Sequence, residues 1–332
     1  MPAIPKSSIK WTAGPDDSGK RLDQLIAAIV SGCARNTAAR LIRQGSVLVN
    51  DAVKKPGYRL AAGDIVSTVA VAPQQSEQIL PEPLGIDVVF KDPCFIIINK
   101  PPGMVVHPAA GNFSGTLVHG LLYHFPELGR MDQDSARPGI VHRLDKDTSG
   151  VMVVARNNEA REILSSQFKS RIVKKTYIAF VHGNPEHDEG RIIMPIYRHP
   201  VNRKKMAAGD KNHGRARYAE TLWRVKERYR SLAVMECSIK TGRTHQIRVH
   251  LSSIGHPVIG DRVYGYRHPL RHYQESPELT GLLAGISRQM LHSGRIEFIH
   301  PDTGEPVSFT APLPADMHDL HNALLRYAEK QV

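Results

Sequence analysis

The sequence predicts an α+β protein in which a small N-terminal α/β module precedes a larger domain with a mostly antiparallel mixed sheet. Helical periodicity and short strand patterns alternate within residues 20–72. From about residue 84, apolar strands follow one another with few helices between them, which is typical of α+β folds rather than doubly wound sheets. A polar segment with two prolines and no periodicity separates the two regions. We therefore predict an N-terminal domain at 1–72, a linker at 73–83 and a second domain at 84–332.

The N-terminal module is predicted to contain two helices and a small sheet. One apolar face of the first helix comprises Leu22, Leu25, Ile26 and Ile29. The second helix lies in NTAARLIRQG and should end at Gly45, since glycine commonly follows the last helical turn. The run SVLVND predicts a strand and a turn, and GDIVSTVAVA predicts the closing strand.

The larger domain alternates apolar strands with a few helices. IDVVF and CFIIINK predict two strands joined by a turn, and VMVVA predicts a buried strand. Three more strands are predicted in KTYIAFVHG, RYAETLWRV and SLAVMECSIK. Helical periodicity is found in GTLVHGLLYHF, NEAREILSSQFKS, THQIRVHLSSIG and PADMHDLHNALLRYAEKQV.

The composition indicates a nucleic-acid partner. The 332 residues carry a formal net charge of +12, and basic proteins gain affinity for nucleic acid because neutralised phosphates release counterions. No apolar run approaches the roughly 18 residues of a membrane-spanning helix, and the first residues lack the apolar segment of a signal peptide. The three cysteines form no C-x-x-C pair, which is typical of reduced thiols. We therefore expect a cytoplasmic protein.

Two motif-like patterns are not expected to form sites. Residues 14–21 nearly match a phosphate-binding loop, but Arg21 stands where the magnesium-holding hydroxyl residue belongs. His245 and His250 are five residues apart, so they do not share a helical face as metal-binding pairs do. The sequence thus predicts neither a nucleotide site nor a metal site.

The strongest chemical signal is GIVHRLDKDTSGVMVVARN at residues 139–157. It places Asp145 in a polar loop before an apolar strand, between Arg143 and Lys146. Neighbouring cations favour an ionised carboxylate, and such a group can act as a nucleophile or as an electrostatic stabiliser. An isolated HRLD tetrad, however, is more often a surface loop held by salt bridges.

Motifs along the whole chain resemble those of the RluA-type pseudouridine synthases. HRLDKDTSG resembles the catalytic motif of that family, and four further segments follow its order. They are NKPPG at 99–103, KTYIA at 175–179, TGRTHQIRVH at 241–250 with GHP at 255–257 and GD at 260–261, and QMLH at 289–292. RLD at 21–23, LIRQG at 41–45 and VLVN at 47–50 resemble the S-four-type RNA-binding domain. Together with that domain, RKKMA at 203–207 looks most like the RluD branch, which modifies large-subunit ribosomal RNA.

This resemblance implies a catalytic domain with a central cleft that isomerises uridine to pseudouridine in RNA. It implies that Asp145 attacks or stabilises the nucleoside while the glycosidic bond breaks. Tyr177 would stack on the base and is a candidate for the proton transfer at carbon five. Arg248 would pair with Asp145, and Arg143 would enter the RNA to hold the target nucleotide outside its stack.

Further substrate-binding candidates are positively charged or imidazole side chains within the same motifs. They are His142, Lys100, Arg243 and His245 in the second domain, and Arg35 and Arg43 in the N-terminal domain. No metal or organic cofactor is expected, because the reaction has no redox or phosphoryl step. We expect a monomer that acts on RNA, most of all on ribosomal RNA, either free or in an assembling large subunit.

Two other functions compete with this hypothesis. A non-catalytic RNA-binding factor for ribosome assembly could keep the fold, but the HRLD motif, Tyr177 and Arg248 are all intact. A metal-dependent nuclease or deaminase would need a ligand set, and the sequence has no H-x-E with P-C-x-x-C. The isomerase is therefore the preferred hypothesis.

Overall fold

The computed structural model describes residues 8–30, 33, 35–69, 79–109, 111–131, 137–202, 204–209, 216–229, 231–265 and 277–329. These residues form two compact units that divide between Ile79 and Leu80. Each unit has a hydrophobic core of its own. Residues 73–78 of the predicted linker lie outside the described residues. Across the described ranges, no helix combines the length and the apolar character needed to cross a bilayer.

The N-terminal unit packs two helices on a four-stranded antiparallel sheet with the order β1-β4-β2-β3. Its elements are β1 (Ser8–Thr12), α1 (Leu22–Ile29), α2 (Arg35–Arg43), β2 (Val47–Val49), β3 (Ala52–Val53) and β4 (Ile65–Val69). The sequence did not predict β1. Asn50 and Asp51 both have positive φ values, as the tight turn of a two-residue hairpin requires. The core includes Leu22, Ile26 and Ile42, which are fully buried.

The second unit is built on a nine-stranded sheet with the order β5-β6-β7-β14-β8-β13-β12-β9, in which β15 also pairs with β14. Its strands are β5 (Asp87–Lys91), β6 (Phe95–Lys100), β7 (Ser149–Ala155), β8 (Lys174–His182), β9 (Glu189–Ile193), β12 (Glu220–Arg228), β13 (Leu232–Ile239), β14 (Leu291–Ile299) and β15 (Pro306–Thr310). A separate two-stranded ribbon joins β10 (Ile196–Arg198) to β11 (Met206–Ala208). Only the pair β7 and β14 is parallel among the described strands. The predicted α+β class with a mostly antiparallel mixed sheet is confirmed.

In the described part of the second unit, five α-helices accompany this sheet: α3 (Leu117–His124), α4 (Asn158–Ser170), α5 (Gln246–Ser253), α6 (Pro277–Gly285) and α7 (Ala315–Glu329). The sequence predicted all of them except α6. Asn157 caps α4 by accepting a hydrogen bond from the amide of Ala160 at 2.8 Å, which satisfies one of the free amides of the first turn. Leu283, Leu320 and Leu324 pack from α6 and α7 against Phe180 of β8 in one buried cluster.

The parallel pair β7 and β14 fixes where the polar loop before β7 lies. Gly150 has a φ of +116°, and a Cβ there would lie 2.2 Å from the carbonyl oxygen of Ser293. Only glycine allows the two backbones to approach so closely. Ser293 also pairs with Tyr177 of β8. The loop that carries Asp145 therefore ends beside the middle of β8.

Candidate active site

A single cleft brings together most of the predicted site residues of the second unit. It is lined by the loop before β7, by β8 and by the segment from Ile239 to Arg248. The cleft is open to solvent, and the space inside it, including that open part, is about 530 Å³. The predicted residues in its lining are Arg143, Asp145, Tyr177, Arg243, His245 and Arg248.

Asp145 is bound by a buried arginine. Nη1 of Arg248 donates a hydrogen bond to Oδ2 of Asp145 at 2.9 Å. The Asp145 side chain is 19% exposed, whereas that of Arg248 is 6% exposed, so the carboxylate faces the cleft and the guanidinium lies behind it. The hydrogen bond from Arg248 orients the carboxylate, and a carboxylate at this position can act as a nucleophile or stabilise positive charge.

The bidentate fork of Arg248 is directed to Asp261, a residue to which the sequence had given no role. Nε and Nη2 of Arg248 donate to the two carboxylate oxygens of Asp261 at 2.7 and 2.9 Å. Oδ1 of Asp261 also accepts the amides of Val263 and Tyr264. Asp261 therefore anchors the arginine to the backbone and leaves one nitrogen for Asp145. Its place in the GD segment of the third motif was the signal that could have identified it.

Tyr177 lies on β8 and lines the cleft together with Asp145. The residue is 6% exposed. Burial raises the pKa of Tyr177, a hydrogen bond with Ser293 acts in the opposite direction, and the charge of Asp145 raises it further. The phenol therefore stays protonated at neutral pH and presents a neutral ring and hydroxyl group to the cleft.

His245 adopts a left-handed conformation, with φ 56° and ψ 22°, at the start of α5. Its Nε2 lies 3.9 Å from Oδ2 of Asp145, and its Nδ1 lies 3.0 Å from the hydroxyl of Tyr264. That hydroxyl also accepts the amide of Met206 from the ribbon at 2.8 Å. Burial lowers the pKa of His245, although the charge of Asp145 raises it. Strained backbone often marks a functional position, and here it holds an imidazole beside the carboxylate.

Lys100 does not line the cleft, which revises its assignment to substrate binding. It is completely buried, and its ammonium group donates to the carbonyl oxygens of Pro101, Met104 and Lys146 at 2.7, 2.9 and 3.0 Å. All three of its hydrogens therefore have backbone acceptors. Because Lys146 follows Asp145, Lys100 fixes the loop that presents the carboxylate.

His142 is also turned away from the cleft, and we revise its assignment in the same way. Its Nε2 accepts the amide of Val153 at 3.0 Å, and its ring stacks on Phe168 with a centroid distance of 4.7 Å. Burial and then the charge of Lys175 lower the pKa of His142 to about 3. The imidazole is therefore neutral and joins the loop to β7 and α4.

The neutral state of His142 predicts acid sensitivity of the fold. Its folded pKa lies below the ordinary value of 6.5, so the unfolded chain binds the proton more tightly and stability falls as pH drops below 6.5. The expected contribution is at most about 1.4 kcal/mol per pH unit. His142→Gln retains an acceptor for Val153 but cannot titrate. Urea unfolding should be measured between pH 7 and 5, a window that spans the pKa of histidine in the unfolded chain. Over this window the free energy of unfolding should fall less in the variant than in the parent. Equal losses in both proteins would contradict the assignment.

The remaining candidates lie at solvent-accessible positions or beyond the described atoms. Arg143 is exposed at the cleft, and Arg43 is exposed in the last turn of α2. The side chain of Arg35 lies outside the described residues. Arg243 donates from Nε to the carbonyl oxygen of Tyr218 at 3.1 Å. In the described part of the chain, no group of three or more His, Cys, Asp or Glu side chains is placed to hold a metal ion.

Two family models match the chain. The model described as RNA pseudouridylate synthase matches residues 94–253 and includes Asp145, Tyr177 and Arg248. The model described as S4 domain matches residues 20–66 of the N-terminal unit. These matches agree with the predicted resemblance in both parts of the chain.

Relatives cover nearly the whole chain. The ribosomal large subunit pseudouridine synthase D of Neisseria meningitidis serogroup A is 42% identical over 92% of this chain and 79% of its own. An uncharacterized RNA pseudouridine synthase of Bacillus subtilis is 39% identical over 95% of this chain and 97% of its own.

Solved structures give the same result. Human RNA pseudouridylate synthase domain containing 1 has a TM-score of 0.52 and 26% identity, and it covers 73% of this chain and 95% of its own. Human RNA pseudouridylate synthase domain containing 4 has a TM-score of 0.53 and 25% identity over 71% of this chain and 93% of its own. The cleft contains the carboxylate of Asp145, and the relatives match most of the chain. The chain therefore belongs to the RNA pseudouridine synthase family.

Proposed function

We propose that this protein converts specific uridines of large-subunit ribosomal RNA to pseudouridine, with Asp145 as the catalytic carboxylate. The observation that carries the proposal is the ionisable Asp145, held by Arg248 at the cleft beside Tyr177. The choice of ribosomal RNA is supported by relatives that are named ribosomal large subunit pseudouridine synthase D.

The reaction exchanges one bond of the ribose for another. The bond between C1′ and N1 of uracil breaks, the ring turns, and a bond from C1′ to C5 forms. The proton on C5 must leave, and N1 gains a proton, so the reaction balances without a cofactor. Asp145 attacks the nucleoside or stabilises the positive charge that develops while the ring is detached. Tyr177 offers a neutral ring face to the base and a hydroxyl near the site of proton transfer.

The target nucleotide must leave its stack before it can reach Asp145. Arg143 is exposed beside the cleft, where a planar guanidinium can replace the stacking that the flipped base has lost. Arg243 and His245 line the same cleft and are proposed to contact the substrate there. One chain supplies Asp145, Tyr177 and Arg248 to the same cleft, so the catalytic set is complete without a second subunit, and we propose that the enzyme acts as a monomer.

Treatment of deproteinised ribosomal RNA with the purified protein tests the proposal. The expected product is a uridine isomer of unchanged mass that retains carbodiimide label. RNA binding without product on either free RNA or assembling large subunits would instead favour a non-catalytic assembly factor. Mapping of pseudouridines in cells that lack the protein would identify the modified positions. We place the enzyme in the cytoplasm, in keeping with its three free cysteines.

We further propose the domain limits 1–72 and 84–332, with affinity assigned to the first domain and chemistry to the second. The S4 match and the exposed Arg43 support the first assignment, and the cleft lies wholly in the second unit.

Removal of residues 1–78 should weaken RNA binding and flatten its dependence on salt, because phosphate contacts are lost. Activity on a saturating short RNA should partly survive. A folded truncated enzyme without activity at any RNA concentration would contradict this division.

A further inference from the structure

Two arginines, Arg171 and Arg243, contact Tyr218 next to the cleft. Cζ of Arg171 lies 5.5 Å from the centroid of the Tyr218 ring. Nε of Arg243 donates to the carbonyl oxygen of Tyr218 at 3.1 Å, and Arg217 is the preceding residue. The Tyr218 hydroxyl donates to Glu220. Tyr218 thus orders two arginine side chains, although it is itself 40% exposed.

The positive charges of this cluster act on one another. The pKa of Arg243 is lowered by burial and then by the charges of Arg217 and Arg171. Glu220 accepts an ion pair from Arg191 at 3.0 Å. Within the described ranges, none of the three clustered arginines forms an ion pair with a carboxylate. Close cations that repel one another bind an anion strongly, since the ligand removes the repulsion.

Arg171 also carries backbone strain. It ends α4 with φ 64° and ψ 27°, and its amide donates to the carbonyls of Gln167 and Phe168. Glycine is the usual residue at such a left-handed helix end, because any Cβ is crowded there. The arginine keeps these cap hydrogen bonds in a crowded conformation, and its exposed side chain lies over the ring of Tyr218. Strain retained at an exposed side chain points to a binding role.

We propose that Arg171, Arg217 and Arg243 form a phosphate subsite for the RNA strand that adjoins the flipped nucleotide. The subsite rests on the proposed function and extends it. Arg243 reaches it from the lining of the cleft, and Arg171 lies across the ring of Tyr218. The backbone of the flanking nucleotide therefore meets these guanidiniums as the target base enters the cleft. Guanidinium groups match phosphate oxygens in a bidentate geometry.

Arg171→Gly separates binding from structure, because it relieves the strain while it removes the charge. The unfolding temperature should stay equal or rise. The dissociation constant for a ribosomal RNA fragment should increase about tenfold. The slope of log affinity against log salt should decrease by about 1 between roughly 50 and 200 mM. Arg171→Lys keeps the charge and should retain most of the affinity.

Lys226→Ala is the charge-matched control, since Lys226 is exposed on β12 outside the cluster. It should change affinity by less than about twofold. Equal affinity losses in Arg171→Gly and Lys226→Ala would overturn the subsite, as would a more stable Arg171→Gly protein with unchanged affinity and salt slope. If the variants changed RNA affinity and salt slope as expected but the parent formed no pseudouridine, the proposed function would fail while the subsite stood.

Discussion

Asp145→Asn is expected to abolish pseudouridine formation while the protein still folds and binds RNA. Asparagine is nearly isosteric, so the packing of the loop should survive. The fork from Arg248 to Asp261 remains, so the buried guanidinium keeps a charged partner after the charge of Asp145 is removed. The amide is a very poor nucleophile and carries no charge, so it can neither attack the sugar nor stabilise positive charge.

Asp147→Asn is the matched control because it makes the same change two residues away. Its backbone carbonyl is held by Nη1 of Arg288 at 3.1 Å, and Asp147 is not among the residues that line the cleft. The measurement is pseudouridine formed per enzyme on deproteinised ribosomal RNA, with binding measured in parallel. Turnover above about 1% in Asp145→Asn would contradict direct catalysis, since loss of a catalytic group usually costs several orders of magnitude. If Asp147→Asn were the inactive variant, the motif would present the other carboxylate.

Elements with strong local patterns were predictable from the sequence. The helix at Asn158–Ser170 and the fully buried strand at Ser149–Ala155 carry their periodicity within a few residues. The strand at Leu291–Ile299 was not predicted. It contains a glycine and two charged residues, and it owes its central place to pairing with β7, about 140 residues earlier. Parallel pairing between such distant segments leaves no local signal.

The site was predictable where a side chain acts on another side chain within a motif, and less so elsewhere. The contact between Arg248 and Asp145 was expected, but the fork to Asp261 depends on two backbone amides that fix the second carboxylate. Lys100 and His142 were assigned to substrate on charge and motif position. Their partners are main-chain atoms, and a sequence does not show which backbone groups remain to be satisfied.

Arg248→Lys should lower kcat by about a hundredfold or more with little change in RNA affinity. One planar guanidinium now reaches Asp145 through Nη1 and Asp261 through Nε and Nη2. A lysine ammonium has a single nitrogen and cannot reproduce that geometry, and a displacement of about 1 Å at the reacting group can cost this much.

Asp261→Asn shows whether Arg248 acts through its anchor. The amide oxygen can still accept from Val263 and Tyr264, and Asp145 remains to pair with Arg248, so we expect a loss in kcat of about tenfold. If both residues serve to aim Asp145, the double variant should be no slower than Arg248→Lys alone, because residues in one network are not additive. Single-turnover rates on one ribosomal RNA fragment should be measured for the parent, the two single variants and the double variant, which complete a double-mutant cycle. Urea unfolding checks that each protein folds. Near-normal turnover in Arg248→Lys, or losses that multiply in the double variant, would show that Asp145 is positioned without this pair.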